Sequence, residues 1–572
     1  MVARIAIACL LVVLLTAEAH GSSSKQLLSV KGDNTINVFE NSVETKYGTV
    51  RGSRGEKAIE FLGIPYAEPP VDDLRFKPAE EPRAWDGVHN GTKSGPGCPQ
   101  RCTMAGPLCP TIMSEDCLYL NVYVPEGKEP EEGWPVFVWI HGGAFMFGSG
   151  GSPIYRGKSF TENGVILVTI NYRLGALGWL NYGDIEGNFG LSDQRMALKW
   201  VRENIAAFGG NANQVTVGGE SAGAMSILVH LASPASKGLF DRAIVESGTI
   251  GLPYNQPEGP NSFFKSLMKK AGCPQSEEDY AECLGALDVD DLLDAQDAMT
   301  KPMNVLPIAV RQPADLVEPF YPLVGTRDVP QHPLDAFKSG DFNRVPTIIG
   351  NNADEGTLFV SLLFGNKNVS KFLEAPAVIS GFFGLEESMD IRNYYPVHGK
   401  ESAKDTLSDI VTDYFFSGST RKVANLLSEH NVPVYTYLFD YLIETPFNIL
   451  SGGDADRAPC KDKVCHGDEV PFIFDDFRFL NMVTDLFTQL FGGGSSSPSS
   501  QSEDERVSKM MSKLWTDFIK SEEDTSVWPK YTRKNKQWLE IRNSTTVVND
   551  FNGKKLQFWD DEIGYNHWPH KI

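Results

Sequence analysis

Gly219-Glu220-Ser221-Ala222-Gly223 places a hydroxyl between small residues, directly after the apolar run Val215-Thr216-Val217 and just before an apolar helical run. A serine on a sharp strand-to-helix turn is lifted above the sheet. The backbone N–H of Ala222, at the helix start, then faces any negative charge that develops beside the hydroxyl. A plain glycine-rich turn is the bland alternative, and it leaves the strand before and the helix after unexplained. Ser221 is therefore read as a nucleophile.

A serine hydroxyl is a weak nucleophile at neutral pH. It needs a base, and the base needs an orienting acid. In turns of this type the chain order runs serine, acid, histidine. His332, His398, His430, His466 and His567 follow Ser221, while His230 sits too close on the next helix. His466 stands out, because Cys465 and Gly467 flank it as in a loop that can deliver an imidazole. For the acid, Asp354-Glu355-Gly356 follows the apolar run Pro346–Ile349 through the polar turn Gly350-Asn351-Asn352. A carboxylate just past a strand's carboxyl end is where such sheets build their sites. Pattern alone leaves Asp354 and Glu355 both open. Trp139-Ile140-His141-Gly142-Gly143-Ala144-Phe145 also follows a strand, and its small residues can offer N–H groups to an oxyanion. His141 is read as a brace for that loop rather than as a base.

These groups need a sheet that ends beside them. Val136–Ile140, Val165–Ile170, Val215–Val217, Ala243–Val245, Pro346–Ile349 and Val434–Phe439 are short, apolar and rich in β-branched residues. Such runs are buried on both faces. Helical patterns lie between them. One is capped by Ser192 or Asp193, carries Met196, Trp200, Val201, Ile205 and Phe208 on one face, and ends at Gly209-Gly210. Val507 to Ile519 reads as an amphipathic helix. The expected fold is α/β, a mostly parallel central sheet with helices on both faces. A single catalytic domain is expected over residues 43–566, with a low-complexity surface loop over 492–506 and a short tail over 567–572.

The chain has 572 residues and a formal net charge of -22, which excludes nucleic acid as an expected partner because phosphate binding needs a basic face. Arg4, the apolar run Ile5–Thr16 and Ala17-Glu18-Ala19 read as a signal peptide over residues 1–19, with a poorly ordered stretch to residue 42. The apolar run is too short to span a membrane, and the polar end Asn566–Ile572 argues against a lipid anchor. Export makes disulfides the natural reading of the eight further cysteines, Cys98, Cys102, Cys109, Cys117, Cys273, Cys283, Cys460 and Cys465. Cys460 and Cys465, four residues apart in the gap, are expected to form a local bridge that braces the loop carrying His466. Zinc is disfavoured, since paired short spacings are missing from Cys98 to Cys117. Asn90, Asn368 and Asn543 head glycosylation sequons.

Many segments together resemble the type-B carboxylesterase and cholinesterase family over nearly all of the mature length. They include Phe61-Leu62-Gly63-Ile64-Pro65-Tyr66-Ala67, Ser114-Glu115-Asp116-Cys117-Leu118-Tyr119-Leu120-Asn121-Val122, Asn171-Tyr172-Arg173-Leu174-Gly175 and Gly187-Asn188-Phe189-Gly190-Leu191-Ser192-Asp193-Gln194. The resemblance implies an α/β-hydrolase fold and hydrolysis of small-molecule carboxylic esters with no metal or organic cofactor. It implies Glu355 as the acid, His466 as the base within His466-Gly467-Asp468-Glu469, and Gly143, Ala144 and Ala222 as oxyanion donors. It implies Cys98–Cys117 and Cys273–Cys283 bridges, leaving Cys102 and Cys109 as an extra pair inside the first. Val464-Cys465-His466-Gly467 most resembles non-cholinesterase members such as amoebal crystal-protein esterases. Cholinesterases hold quaternary ammonium on an aromatic face, whereas Asp86 to Leu118 here contains no Phe, Tyr or Trp, so uncharged esters are expected. Two rival readings share the fold: a non-catalytic adhesion protein, and a lipase acting at lipid interfaces.

Overall fold

β-Branched and aromatic residues dominate the strands of the computed structural model. It describes residues 41–102, 108–252, 254, 262–273, 280–300, 320–365, 369, 374–396, 403–444, 460–475, 502–522 and 526–565. The expected signal peptide, the segment up to residue 40, most of the 492–506 loop, the tail and Asn368 lie outside the described residues. The strands are β1 (Ser42–Thr45), β2 (Gly48–Arg51), β3 (Ser53–Arg54), β4 (Ala58–Pro65), β5 (Val88–Asn90), β6 (Tyr119–Pro125), β7 (Trp134–Ile140), β8 (Ile166–Ile170), β9 (Gly210–Glu220), β10 (Arg242–Glu246), β11 (Thr347–Asn352), β12 (Val434–Phe439), β13 (Gln537–Ile541) and β14 (Thr545–Asn549). β1, β2 and β5 form a small separate sheet. The others form one sheet of 11 strands in the order β14-β13-β12-β11-β10-β9-β7-β8-β6-β4-β3.

From β13 across to β8 every neighbouring pair is parallel, and antiparallel pairs occupy both edges. The expected mostly parallel sheet is therefore present, with edges that the apolar-run pattern did not pick out. In β7, Val136, Val138 and Ile140 join one core and Phe137 and Trp139 the other. Both faces of the strand are covered, which is why its sequence is apolar without alternation.

The helix Phe189–Asn204 begins earlier than expected. Asn188 holds its N-terminal position at φ 57°, and neither Ser192 nor Asp193 caps it. Each has other work. Ser192 Oγ accepts from the Ala79 N–H, and buried Asp193 takes the Arg173 guanidinium and backbone N–H at 2.7–2.9 Å. The loop expected over 492–506 also stops short. Ser502 accepts from the Glu505 N–H, and a helix runs over Glu503–Lys520.

Side chains far apart in sequence pin the segment after β7. Gln100 bonds both the N–H and the carbonyl of Gly148, at 2.8 and 2.9 Å. Asn171 accepts from Ser149 and Gly150 and donates to Pro96 and Cys117. The Gly175 N–H reaches the Phe145 carbonyl at 2.7 Å, just beyond Arg173. Removing Asp193 would leave Arg173 buried and unpaired close to this segment. Asp193→Ala should cost about 3–5 kcal/mol of stability, read as a lower urea midpoint, and an unchanged midpoint would refute the importance of the pair.

Candidate active site

Close backbone approach dictates the residue types around Ser221. A Cβ on Gly219 would lie 2.5 Å from the Ile140 carbonyl oxygen, and one on Gly223 only 2.1 Å from it. Glycine on both sides thus lets the turn press against the end of β7. Ser221 itself adopts φ 57° and ψ -121°, a conformation L residues rarely accept. Its N–H donates to the Glu246 carbonyl at 2.9 Å, and its carbonyl accepts from Met225 to start the helix Ala222–Ala232. Strain of this kind costs about 1–3 kcal/mol and needs firm surroundings.

The facing loop is also unusual. Gly143 has φ 110°, and Ala144 and Phe145 have φ 51° and 56°. A Cβ on Gly143 would lie 2.1 Å from the Phe147 carbonyl oxygen. That carbonyl approach, with the Gly143 carbonyl accepting from Met146 and Phe147, makes a tight turn. Among the described residues none accepts a hydrogen bond from the N–H of Gly143, Ala144 or Ala222. His141 braces the loop: its ring stacks on Tyr172 at 4.5 Å, and Nδ1 lies 2.8 Å from the Gly142 carbonyl. Burial drives its pKa down to about 4, so it stays neutral at neutral pH.

Glu355 and His466 meet across the ends of two loops. His466 Nδ1 lies 2.6 Å from Glu355 Oε2, and Glu355 is fully buried. The other oxygen, Oε1, accepts from the Ser247 hydroxyl at 2.5 Å and from the Asn352 N–H at 2.7 Å. Phe359 and Phe416 flank the imidazole at 4.9 and 5.3 Å. Asp354, the other carboxyl left open by the sequence, bonds Lys463 and the Val464 N–H instead. The remaining described histidines lie elsewhere. His230 bonds Ser236 and Gln194, His332 accepts from the Leu334 N–H, and His430 packs on Phe342. His398 and His567 lie outside the described residues.

Sequence reasoning did not foresee the crowd of carboxyls around His466. Its Nε2 lies 3.1 Å from Glu220 Oε1. Burial pushes the Glu220 carboxyl up, His466 opposes this and Glu355 adds to it, bringing it to about 7. Glu469, bonded to Asn352, is pushed well above the usual carboxylate range by burial and by Glu220, Glu355 and Glu246. Burial raises Glu246 to about 8 despite a 2.7 Å hydrogen bond from the Trp515 indole. A signal for Glu469, and for Ser247 beside Glu355, was present. Ser247 directly follows β10 as Ser221 follows β9, and Glu469 lies three residues after His466.

A pocket of about 980 Å³, counting the open space at its mouth, has Ser221 and Ala144 in its wall. Ser247 and Thr249 also line it, and the rest of its walls are apolar, with Phe359, Phe364, Phe382, Phe383, Phe415 and Phe416 among them and no charged side chain among the described residues. Phe415 and Phe416 come from the π-helical stretch Thr412–Gly418, a wide turn of the sort that re-aims side chains at sites.

Four disulfides are described: Cys98–Cys117, Cys102–Cys109, Cys273–Cys283 and Cys460–Cys465. The last lies beside His466, and its sulfurs pack with Leu358. Asn90 and Asn543 are exposed. Among the described residues no cluster of His, Cys, Asp or Glu could hold a metal ion, and no helix is long and apolar enough to cross a membrane.

The model of the Carboxylesterase family matches residues 40–559. The crystal protein of Dictyostelium discoideum is 36% identical over 82% of this chain and 82% of its own length. The para-nitrobenzyl esterase of Bacillus subtilis (strain 168) is 32% identical over 90% of this chain and 97% of that protein. Neuroligin-2 of Mus musculus is 31% identical over 92% of this chain and 68% of that protein. A solved structure titled PNB esterase superposes with a TM-score of 0.73 at 32% identity, covering 90% of this chain and 99% of that one.

The buried carboxyls make stability depend on pH with a definite sign. Glu246 keeps its proton to about 8 in the fold, against 4.5 ordinarily. Its contribution is full below the unfolded value and is lost as pH rises through the folded one. Glu246→Gln keeps an acceptor for Trp515 but cannot ionise. It should flatten the fall in stability between about pH 5 and 8 and raise the melting temperature at pH 8 by about 1–3 °C. Parallel melting curves for parent and variant across that range would contradict the assignment.

Proposed function

The chain belongs to the carboxylesterase family, and from that premise we propose that it is an exported serine hydrolase of uncharged carboxylic esters. The observation that carries the reading is the 2.6 Å contact of His466 with buried Glu355, beside an apolar pocket that Ser221 helps to line. In the proposed reaction the Ser221 hydroxyl attacks the ester carbonyl carbon while His466 takes its proton. Glu355 holds the imidazolium that forms. The N–H groups of Gly143, Ala144 and Ala222 receive the oxyanion, and one such donor is worth about 3–4 kcal/mol. The intermediate collapses to an acyl-enzyme, and His466 returns its proton to the departing alcohol. Water, deprotonated by His466, then releases the acid and restores Ser221.

Export is supported by the signal-like start and the four disulfides, which persist in oxidising compartments. The walls favour an apolar acyl or alcohol group. One observation favours action at a lipid surface as a second reading. Leu362 and Leu363 are exposed, and Leu363 also lines the pocket. A rate that jumps when a soluble ester is replaced by its emulsified long-chain homologue would favour that reading. Equal or lower rates would leave soluble esters as substrates.

Ser221→Ala should fold as the parent does and lose roughly a millionfold in turnover. Purified variant with more than a few percent of parental activity would remove Ser221 from the mechanism, and a parent with no esterase activity would favour the non-catalytic binding reading. Choline esters should be poor substrates. The phenylalanine rings offer π faces, but Glu220 is drawn toward its neutral form by burial, which weakens its pull on a cation. Catalytic efficiency on a choline ester should not exceed that on its uncharged isostere by as much as about tenfold, a difference of about 1.4 kcal/mol. A larger preference would overturn the uncharged-ester reading.

A further inference from the structure

We propose that Asp354 is a positioning residue that seats the His466 loop against the strand carrying Glu355, an inference that rests on reading His466 as the base. β11 ends at Asn352, and Asp354 and Glu355 are the next carboxyls along the chain. They grip the same loop at two points. Glu355 holds the imidazole ring of His466. Asp354 holds the backbone two residues earlier: its Oδ2 accepts from the Val464 N–H at 3.1 Å, while its own N–H donates to the Val464 carbonyl at 2.9 Å. Oδ1 accepts from Lys463 Nζ at 2.8 Å. The result is a short two-way ladder between Asp354 and Val464.

Other contacts in the loop do a different job. The Cys460–Cys465 bridge and the 2.7 Å bond from the Cys465 N–H to Asp468 tie the loop to itself. They fix its shape without fixing where it sits. Asn352 Nδ2 reaches the Cys465 carbonyl at 2.7 Å and supplies a second tie to β11. Lys463 is about 42% exposed, so its ion pair with Asp354 is screened and contributes little. The Val464 hydrogen bond is the contact that carries the placement. Proton transfer tolerates little error in distance, and a displacement of about 1 Å can lower a rate roughly a hundredfold. One dipeptide thus sets both the orientation of the base and the position of its backbone.

The test measures turnover per active site, with sites counted by saturating Ser221 with a fluorophosphonate. Asp354→Ala should lower kcat per titrated site by about 10- to 100-fold, with KM changed less than about threefold. Asp354→Asn keeps an oxygen for the Val464 N–H and should recover turnover to within about threefold of the parent. Turnover per site within about twofold of the parent in Asp354→Ala, a loss confined to the number of titratable sites, or an Asn variant no better than the Ala variant would each overturn the proposal. His466→Ala is measured alongside. If it keeps its turnover, the base assignment itself falls. If it is inactive while Asp354→Ala is normal, only the positioning role of Asp354 falls.

Discussion

Glu355 is a fully buried carboxyl, and its hydrogen bond to His466 is the interaction around which the carboxyl end of the sheet is arranged. A buried charge without partners is expensive, and removing one partner of such a pair is strongly destabilising. The surroundings meet that demand. Ser247 at the end of β10 and the Asn352 N–H at the end of β11 take the oxygen that His466 leaves free. Phe359 and Phe416 hem in the ring from helices that follow β11. The loop bearing His466 is tied to the same strand by Asp354 and Asn352. Two neighbouring parallel strands, β10 and β11, therefore contribute to one hydrogen-bonded unit, and each does so at its carboxyl end, where helices and loops begin.

That concentration of carboxyls has an electrostatic consequence. Burial raises Glu220, Glu246 and Glu469, and neighbouring carboxyls add to it: Glu355 acts on Glu220, Glu220 on Glu246, and Glu220, Glu355 and Glu246 on Glu469. Such groups hold protons at pH values where exposed carboxyls have lost them. The site can then contain several acids without accumulating the full negative charge that their number would suggest. Functional sites are often where such perturbed groups gather. The pocket in front of Ser221 is of the opposite character, with mostly apolar walls and, among the described residues, no charged side chain lining it. Carboxyls meet both ring nitrogens of His466, while apolar side chains make up most of the pocket beside Ser221.

Strain and close approach at Ser221 are the other half of the arrangement. The turn presses against β7 because Gly219 and Gly223 carry no Cβ, and the loop after β7 turns sharply because Gly143 carries none. The latter loop is then held from outside by Gln100 and Asn171, which link it to the Cys98–Cys117 segment. A disulfide loop far from Ser221 in sequence thus stiffens the segment that faces Ser221. The buried Arg173–Asp193 pair supports the next stretch of chain. The backbone strain at Ser221, Ala144 and Phe145 persists because these neighbours leave no relaxed alternative.

The amino-acid sequence by itself determined the central strands, the parallel character of the sheet, the strand-to-helix turn at Ser221 and an amphipathic helix over Val507 to Ile519, which the structure extends to Glu503–Lys520. These are local properties: an apolar run of strand length, small residues around a serine, and helical spacing of large apolar side chains. Tertiary structure alone decided what depends on which segments meet. Asp354 and Glu355 are adjacent and chemically alike, so pattern could not rank them; only the arrival of the 460–469 loop gives one the imidazole and the other a backbone N–H. Ser192 and Asp193 look like caps, yet Ala79 and Arg173 claim their side chains, and a partner more than ten residues away leaves no mark at cap spacing. The edge strands β4, β6, β13 and β14 went unread because their pairing, not their composition, makes them part of the sheet. The contact between Glu220 and His466 joins residues 246 positions apart, and it depends on the parallel sheet gathering the carboxyl ends of β9, β10, β11 and β12, the last of which leads into the chain that carries His466.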